Sequence, residues 1–154
     1  MRHDKLRVVS PRADVAAEGR YVLDGQVGFL MRVAMQRHTS IFTADMVEGL
    51  TQTQFAAMAK LQEVGPCSQN QLGRLIFLDA ATIKGVVDRL LVREFVTALA
   101  DPNDRRRRAV ALSDRGRKVT QRAMVVAAEI TAATLAPLTE AERRTLVRLL
   151  NKLS

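Results

Sequence analysis

Four consecutive arginines at positions 105–108 are the residues of this sequence best suited to bind an anion. They follow Asp101-Pro102-Asn103-Asp104, where Pro presets φ and Asn and Asp hydrogen-bond to their own backbone. β-Prone runs flank this turn at 95–99 and 109–112, so we predict a β-hairpin rich in guanidinium groups. The phosphates and the narrow minor groove of DNA would suit such a hairpin. The alternative is a solvated, self-repelling loop.

Helix-start signals define the elements that must position this hairpin. Several Ser or Thr residues precede Gln or Glu by three positions, as in a capping box, and others are single N-cap candidates. The predicted N-caps are Thr51, Ser68, Asp79, Ser113 and Thr139. Helical periodicity adds a long helix from Val22 to about Met46, while Gly65-Pro66 and Pro137 end two others. The predicted order is long helix, helix, short helix to about Phe77, helix, hairpin, long helix, helix.

The helix that begins after Asp79 has the pattern of a DNA-reading helix. Two short helices joined tightly and followed by a β-ribbon place one helix in the major groove. Its predicted inner stripe is Ile83, Val86, Val87, Leu90 and Leu91. The residues left outward or sideways include Thr82, Lys84, Gly85, Asp88 and Arg89. Thr82 can hydrogen-bond or contact a thymine methyl, Lys84 and Arg89 can bind phosphate or guanine, and Asp88 is expected to hold Arg89 or another Arg. An ordinary amphipathic helix with a solvated polar face is the alternative.

Composition favours a basic globular protein over other classes. Lys and Arg number 24 against 16 Asp and Glu, a formal net charge of +8 in 154 residues, which points to nucleic acid or an anionic surface. The sequence shows neither a bilayer-spanning apolar window nor a signal peptide, and it has one cysteine, so we expect a cytoplasmic protein without a membrane partner. We find no phosphate loop, nucleophile elbow or His/Asp/Glu cluster, and therefore expect no enzyme, cofactor or metal site.

The chain divides into an N-terminal arm and a mainly α-helical domain. Residues 1–20 are polar and without clear period, and we interpret them as an arm. Residues 21–154 are interpreted as a single domain with a helix-turn-helix and wing at about 51–112. The flanking helices, about 21–46 and 113–153, are broadly apolar and need burial on more than one side.

Several motifs in this order resemble those of the MarR family of transcription regulators, over about residues 20–153. The matching segments are Leu50–Phe55, Val87–Leu90, Asp101–Arg106, Val110–Ser113 and Gly116. Two features depart from the family pattern. Glu94 stands where a small residue or Gly usually precedes the first wing strand, and the return strand is richer in Arg.

The resemblance implies a homodimeric winged helix-turn-helix repressor, mainly α with a small β-wing, whose terminal helices form the dimer. Two recognition helices would then lie about one DNA turn (~34 Å) apart on a palindromic operator. Residues implied to touch phosphate are Ser68, Gln69 and Asn70. Residues implied to lie in the major groove are Thr82, Lys84, Gly85 and Arg89. Arg106, with Arg105 or Arg107, would enter the minor groove.

Members of this family often respond to small aromatic acids, so we looked for a site that could bind one. On the first helix, Arg32 and His38 fall about 60° to either side of Met35, an apolar arc flanked by a carboxylate-binding group and a titratable one. Phe55 and Met58 on the second helix could close this site. We therefore expect an aromatic or heteroaromatic acid to release the DNA. The alternative is that these residues are ordinary core or surface.

Three other functions fit parts of the sequence. Cys67 precedes a helix N-terminus, which can lower a thiol pKa, so redox sensing is one alternative. A buried filler cysteine is the simpler interpretation. A winged helix used only for protein interaction and a non-specific architectural DNA binder are the other two.

Overall fold

The computed structural model describes residues 21–100, 104 and 108–154. The helices of this part are α1 (Val27–Asp45), α2 (Gln52–Val64), α3 (Gln69–Leu75), α4 (Ala80–Val92), α5 (Asp114–Thr134) and α6 (Glu140–Leu150). Two 3₁₀ turns, Leu23–Gly25 and Val47–Gly49, precede α1 and α2. The strands β1 (Cys67–Ser68), β2 (Val96–Ala100) and β3 (Arg108–Leu112) form an antiparallel sheet in the order β1-β3-β2. The predicted mainly α fold with a small β-wing is confirmed.

Side-chain caps start the helices where the sequence places them. Thr51 Oγ1 accepts the N–H of Gln54 at 3.2 Å, and Gln54 Oε1 accepts the N–H of Thr51 at 3.1 Å. Thr139 and Glu142 form the same reciprocal pair at the start of α6. Each cap satisfies N–H groups that the first turn of a helix leaves without a backbone partner.

Two helix boundaries and one cap differ from the sequence-based expectation. α1 begins at Val27 rather than Val22, because Gln26 has an extended backbone after the first 3₁₀ turn. α3 ends at Leu75 rather than about Phe77, whose φ of +58° cannot continue a right-handed helix. Ser68 and Gln71 have the spacing of a capping box, but among the described contacts only the Ser68 side chain takes part, by accepting the N–H of Gln71. The backbone of Ser68 belongs to β1, opposite Ala109. That two-residue strand was not predicted, because it is too short to show a period.

The hydrophobic core lies between α2, α3, α4, the sheet and the halves of α1 and α5 that face them. Its largest fully buried side chains include Met58, Leu72, Ile83, Leu90, Phe95 and Ile130. Leu91, predicted on the inner stripe of α4, is instead 37% exposed. We call the part from α2 to β3 the lobe.

The base of the wing is closed by a very tight contact. A Cβ added to Gly116 on α5 would lie 1.8 Å from the carbonyl oxygen of Phe95, so only glycine fits there. Ser113 caps α5 by accepting the N–H of Gly116 at 2.8 Å and donates its hydroxyl to the carbonyl of Glu94 at 2.7 Å. Glu94 has a φ of +57°, in the left-handed region that favours glycine, which fits the expectation of a small residue or Gly at that position.

Within the described residues, no helix combines the length and apolar character needed to cross a membrane. The same residues contain no group of three or more His, Cys, Asp or Glu side chains that could hold a metal ion.

Candidate nucleic-acid interface and effector cavity

The start of α3 presents polar groups at the edge of the lobe. Ser68 caps this helix by accepting the N–H of Gln71 at 3.2 Å. Asn70 is exposed, while Ser68 and Gln69 are half-buried. Side chains and N–H groups at a helix start are suited to phosphate oxygens.

α4 presents a separate, outward face whose inner side is anchored in the core. Ile83, Val86, Val87 and Leu90 are buried, so the helix is fixed against the lobe. Thr82, Lys84 and Arg89 are exposed on the other side. An added Cβ at Gly85 would lie 3.6 Å from Nη1 of Arg89, so this guanidinium lies against the bare backbone of Gly85. The face is thus small and polar near its start and cationic further along.

Among the described residues, Asp88 pairs with a lysine rather than with the expected Arg. Its Oδ2 accepts a hydrogen bond from Nζ of Lys84 at 2.6 Å, one helical turn away, because residues four apart lie side by side on a helix. Both side chains of this ion pair are exposed to solvent, so the pair contributes little stability, but it orients Lys84 along the helix.

The wing has the predicted hairpin pairing. β2 and β3 are in register from Val96 opposite Leu112 to Ala100 opposite Arg108. Arg108 is exposed at the start of the return strand, and Asp104 is half-buried. Arg105, Arg106 and Arg107 lie outside the described residues.

A cavity of about 200 Å³ lies between α1, α2 and α5. Its lining residues are His38, Phe42, Gln52, Phe55, Ala127, Ile130 and Thr131. The ring centroids of His38 and Phe42 are 6.2 Å apart, and those of Phe42 and Phe55 are 6.1 Å apart, both tilted. Nδ1 of His38 shares a hydrogen bond with Oγ1 of Thr134 at 2.9 Å, which fixes the ring against α5. The cavity therefore combines aromatic walls with a few polar groups.

The five residues proposed from sequence for a ligand are only partly brought together. His38 and Phe55 line the cavity, whereas Arg32 and Met35 are exposed outside its lining. The guanidinium of Arg32 lies 5.2 Å from the ring centroid of Phe29. Met58 is fully buried in the lobe core. Helical spacing placed these residues on one arc, but the crossing of α1 with α2 and α5 decides which of them meet.

Sequence reasoning missed Gln52 and the α5 residues of this cavity. Gln52 Nε2 donates to Thr39 Oγ1 at 3.0 Å and so links α2 to α1 beside the cavity. Gln52 directly follows the predicted cap Thr51, which placed it near the start of α2 but gave no sign that it faces α1. Thr131 and Thr134 are distant in sequence from α1, and no local pattern connects them.

Cys67, the residue of the redox alternative, is buried in β1. Its thiol is therefore shielded from solvent in this conformation.

Three comparisons with known proteins show similarity to transcriptional regulators. A MarR family model matches residues 50–107. The HTH-type transcriptional repressor NicR of Pseudomonas putida is 37% identical over 134 residues, covering 86% of this chain and 85% of NicR. The crystal structure of a probable transcriptional regulator from Pseudomonas aeruginosa is 49% identical, with a TM-score of 0.84 over 86% of this chain and all of that one.

A further solved structure connects the fold to a small molecule. Bordetella bronchiseptica BpsR, whose DNA binding is regulated by 6-hydroxynicotinic acid, is 37% identical, with a TM-score of 0.83. The alignment covers 88% of this chain and 97% of BpsR. Regulators of the matched family bind operator DNA, act as dimers and bind small-molecule ligands, and they are not enzymes. The arrangement of α3, α4 and the wing, together with these likenesses, shows that the chain belongs to the MarR family of transcriptional regulators.

Proposed function

We propose that the protein is a homodimeric, sequence-specific repressor that leaves a palindromic operator when a small aromatic or heteroaromatic acid binds. The observation that carries the proposal is the pairing, in one chain, of an anchored α4 with an exposed polar face and an aromatic cavity between α1, α2 and α5.

The DNA contacts follow from the position of each element. Thr82, Lys84, Gly85 and Arg89 on α4 would enter the major groove. At the start of α3, Ser68, Gln69 and Asn70 would hold phosphates. Arg105, Arg106 and Arg107 at the wing tip would reach the minor groove, where guanidinium groups are attracted to its negative potential.

Dimerisation would cover apolar surface that the single chain leaves open. The exposed apolar side chains outside the lobe include Val27, Leu30, Met31, Met35, Val147, Leu149, Leu150 and Leu153. An exposed apolar surface of this kind marks an interaction site, and a symmetric second copy would present the same residues.

The size and lining of the cavity support a single-ring effector. About 200 Å³ is below the range typical of drug-sized ligands, so one ring with small substituents would fill it. Phe42 and Phe55 offer ring contacts, while His38 and Gln52 offer hydrogen bonds. The DNA binding of BpsR is regulated by 6-hydroxynicotinic acid, a small ring acid, and this supports the same class of ligand for the present protein. We place the acid against His38 rather than Arg32, because only His38 lines the cavity.

A salt series in a gel-shift assay with competitor DNA tests the DNA-binding part. For a protein that binds an operator through its phosphates, the logarithm of the association constant falls linearly with the logarithm of the salt concentration, at a slope of about −0.9 per neutralised phosphate. Arg106→Ala should weaken operator binding and make the salt dependence shallower, because it removes a cation from the negative potential of the minor groove. A flat salt dependence would instead indicate a protein-interaction module, and equal binding to all sequences an architectural protein.

A titration of the protein–operator complex with a panel of ring acids tests the effector part. His38→Ala should raise the concentration needed for release at least tenfold, whereas Arg32→Ala, the matched control on the same helix, should leave it unchanged. Thermal shift of the DNA-free protein reports binding independently, because a ligand stabilises the folded state by mass action. If Arg32→Ala shifts release and His38→Ala does not, the placement of the acid is wrong.

A further inference from the structure

The start of α4 contains a carboxylate that holds both donors of one exposed residue. Asp79 is the N-cap of this helix, and its Oδ1 accepts the N–H of Thr82 at 2.8 Å. Its other oxygen, Oδ2, accepts the hydroxyl of Thr82 at 2.7 Å. Both side chains are exposed, and Thr82 lies on the face assigned to DNA.

The direction of the hydroxyl proton in this pair is fixed by charge. The N–H and then the hydroxyl of Thr82 lower the pKa of Asp79 below its ordinary value, so this carboxyl is ionised at neutral pH. An ionised carboxylate accepts hydrogen bonds but has no proton to donate. The proton between Oδ2 and Oγ1 therefore belongs to Thr82.

Thr82 is then left as an acceptor toward anything that approaches from outside. A threonine hydroxyl has one proton and two lone pairs, and here the proton is directed to Asp79. In the major groove, adenine N6 and cytosine N4 donate, whereas guanine N7 and O6 and thymine O4 accept. An acceptor-only hydroxyl matches adenine or cytosine and opposes guanine or thymine.

We infer that Asp79 is a specificity-determining positioning residue, which makes Thr82 select adenine or cytosine at the base that it faces. This inference rests on the proposed operator recognition by α4. It concerns the polarity of one hydrogen bond rather than the presence of the recognition helix.

Selection of bound duplexes from a randomised DNA library, with the full-length protein, tests the inference. Thr82→Val removes the hydroxyl and identifies the base pair concerned, because preference there should flatten. Asp79→Asn keeps a good N-cap, yet its amide N–H₂ can donate to Oγ1 and frees the hydroxyl proton of Thr82. We expect the wild type to prefer adenine or cytosine there by about two- to tenfold, the range of one net hydrogen bond, and Asp79→Asn to lose or reverse that preference.

Two matched variants separate polarity from charge and folding. Asp88→Asn removes the same charge from the same helix and should change overall affinity without changing the preference at that base pair. Thr82→Ser retains the hydroxyl and should keep the preference. Thermal melts of each variant, followed by circular dichroism, verify that the protein is folded.

The outcomes are distinct. The inference is overturned if folded Asp79→Asn selects the same base as the wild type, or if Thr82→Val alters no position. Absence of any enriched sequence with the wild type would contradict the proposed operator recognition itself, and this inference with it. Replacement of a selected adenine by purine, which lacks the 6-amino group, should weaken wild-type binding two- to tenfold and leave Asp79→Asn nearly unaffected, again about one hydrogen bond.

Discussion

α4 and α6 are both amphipathic helices with side-chain caps, but the chain buries only one of them. The inner residues of α4 lie fully inside the lobe, whereas α6 contains no buried residue. Leu90 of α4 is 0% exposed and Leu150 of α6 is 46% exposed. An apolar stripe thus predicts that a helix will be covered, but not whether its own chain or another one covers it.

α1 shows the same contrast within one helix. Phe42, near its C-terminal end, is buried against the lobe, while Val27, Leu30 and Met35 toward its start are exposed. The C-terminal part of α1 is therefore covered by its own chain, whereas its N-terminal part leaves apolar side chains uncovered.

The largest expected effect comes from shortening one leucine side chain to alanine on α4 and one on α6. Leu90→Ala should destabilise the protein by about 2–5 kcal/mol, because it leaves a cavity in a close-packed core. Leu150→Ala removes the same atoms from an uncovered face and should instead weaken self-association. Denaturant unfolding at two protein concentrations, with sedimentation, measures both quantities. If both variants lost the same free energy of unfolding at both protein concentrations, α6 would have to be buried within its own chain.

The same substitution should lower the stability of the protein at one glycine and raise it at another. Gly116→Ala should destabilise by about 1–3 kcal/mol or more, because its Cβ would overlap the carbonyl of Phe95. At Gly28 on α1, nothing lies within 4 Å of an added Cβ. Gly28→Ala should then stabilise by about 0.5–1 kcal/mol through helix propensity. Thermal melts of both variants test this, and a loss at Gly28 would reveal a close partner there.

The lobe also contains non-glycine residues in left-handed backbone conformations, whose cost can be measured. Phe77, in the turn between α3 and α4, has a φ of +58° and is 87% exposed. Left-handed φ costs a non-glycine residue roughly 1–2 kcal/mol, and glycine loses about 0.5–1 kcal/mol in entropy on folding. Phe77→Gly should therefore stabilise by about 0.5–1 kcal/mol in denaturant unfolding. Phe77→Ala, which keeps the strain, serves as the control and should not stabilise.

Acid unfolding offers the finest test of the comparison between α4 and α6. Hydrogen bonds from Thr82 lower the pKa of Asp79 at the start of α4, and those from Thr139 lower that of Glu142 at the start of α6. A carboxyl whose pKa falls on folding stabilises the protein fully above its unfolded pKa, about 4, and loses this effect as pH falls through the folded value.

Asp79→Asn should consequently flatten the fall in lobe stability below pH 5, as followed by denaturant unfolding at a series of pH values. Glu142→Gln should do so only if α6 unfolds together with the lobe. A dependence of the Glu142→Gln effect on protein concentration would tie α6 to the dimer, and no effect at any concentration would show that α6 unfolds independently.

Local chemistry made much of the fold predictable. The caps at Thr51, Asp79 and Ser113 start helices because their side chains satisfy N–H groups only a few residues away. The hairpin strands pair because a turn sequence brings them together directly. β1 was not predictable, since it pairs with β3, more than 40 residues later in the sequence. The left-handed Phe77 belongs to a local turn at the end of α3, in which the N–H of Leu78 donates to the carbonyl of Gly73 at 2.9 Å. It escaped prediction because glycine or asparagine usually marks that position.

The candidate sites divide in the same way. The outward face of α4 follows from helical periodicity, so Thr82, Lys84 and Arg89 could be placed from sequence alone. The cavity could not, because it is made where α1 crosses α2 and α5. There, His38 meets Thr134, and Gln52 meets Thr39.

By itself, the sequence determined which segments form the helices and the hairpin, most of the apolar face of each helix and where the positive charge is concentrated. These properties depend on interactions between residues a few positions apart. The tertiary structure decided which apolar faces are covered and which aromatic side chains enclose the cavity. Those depend on contacts and hydrogen-bond geometry that exist only once the helices have packed.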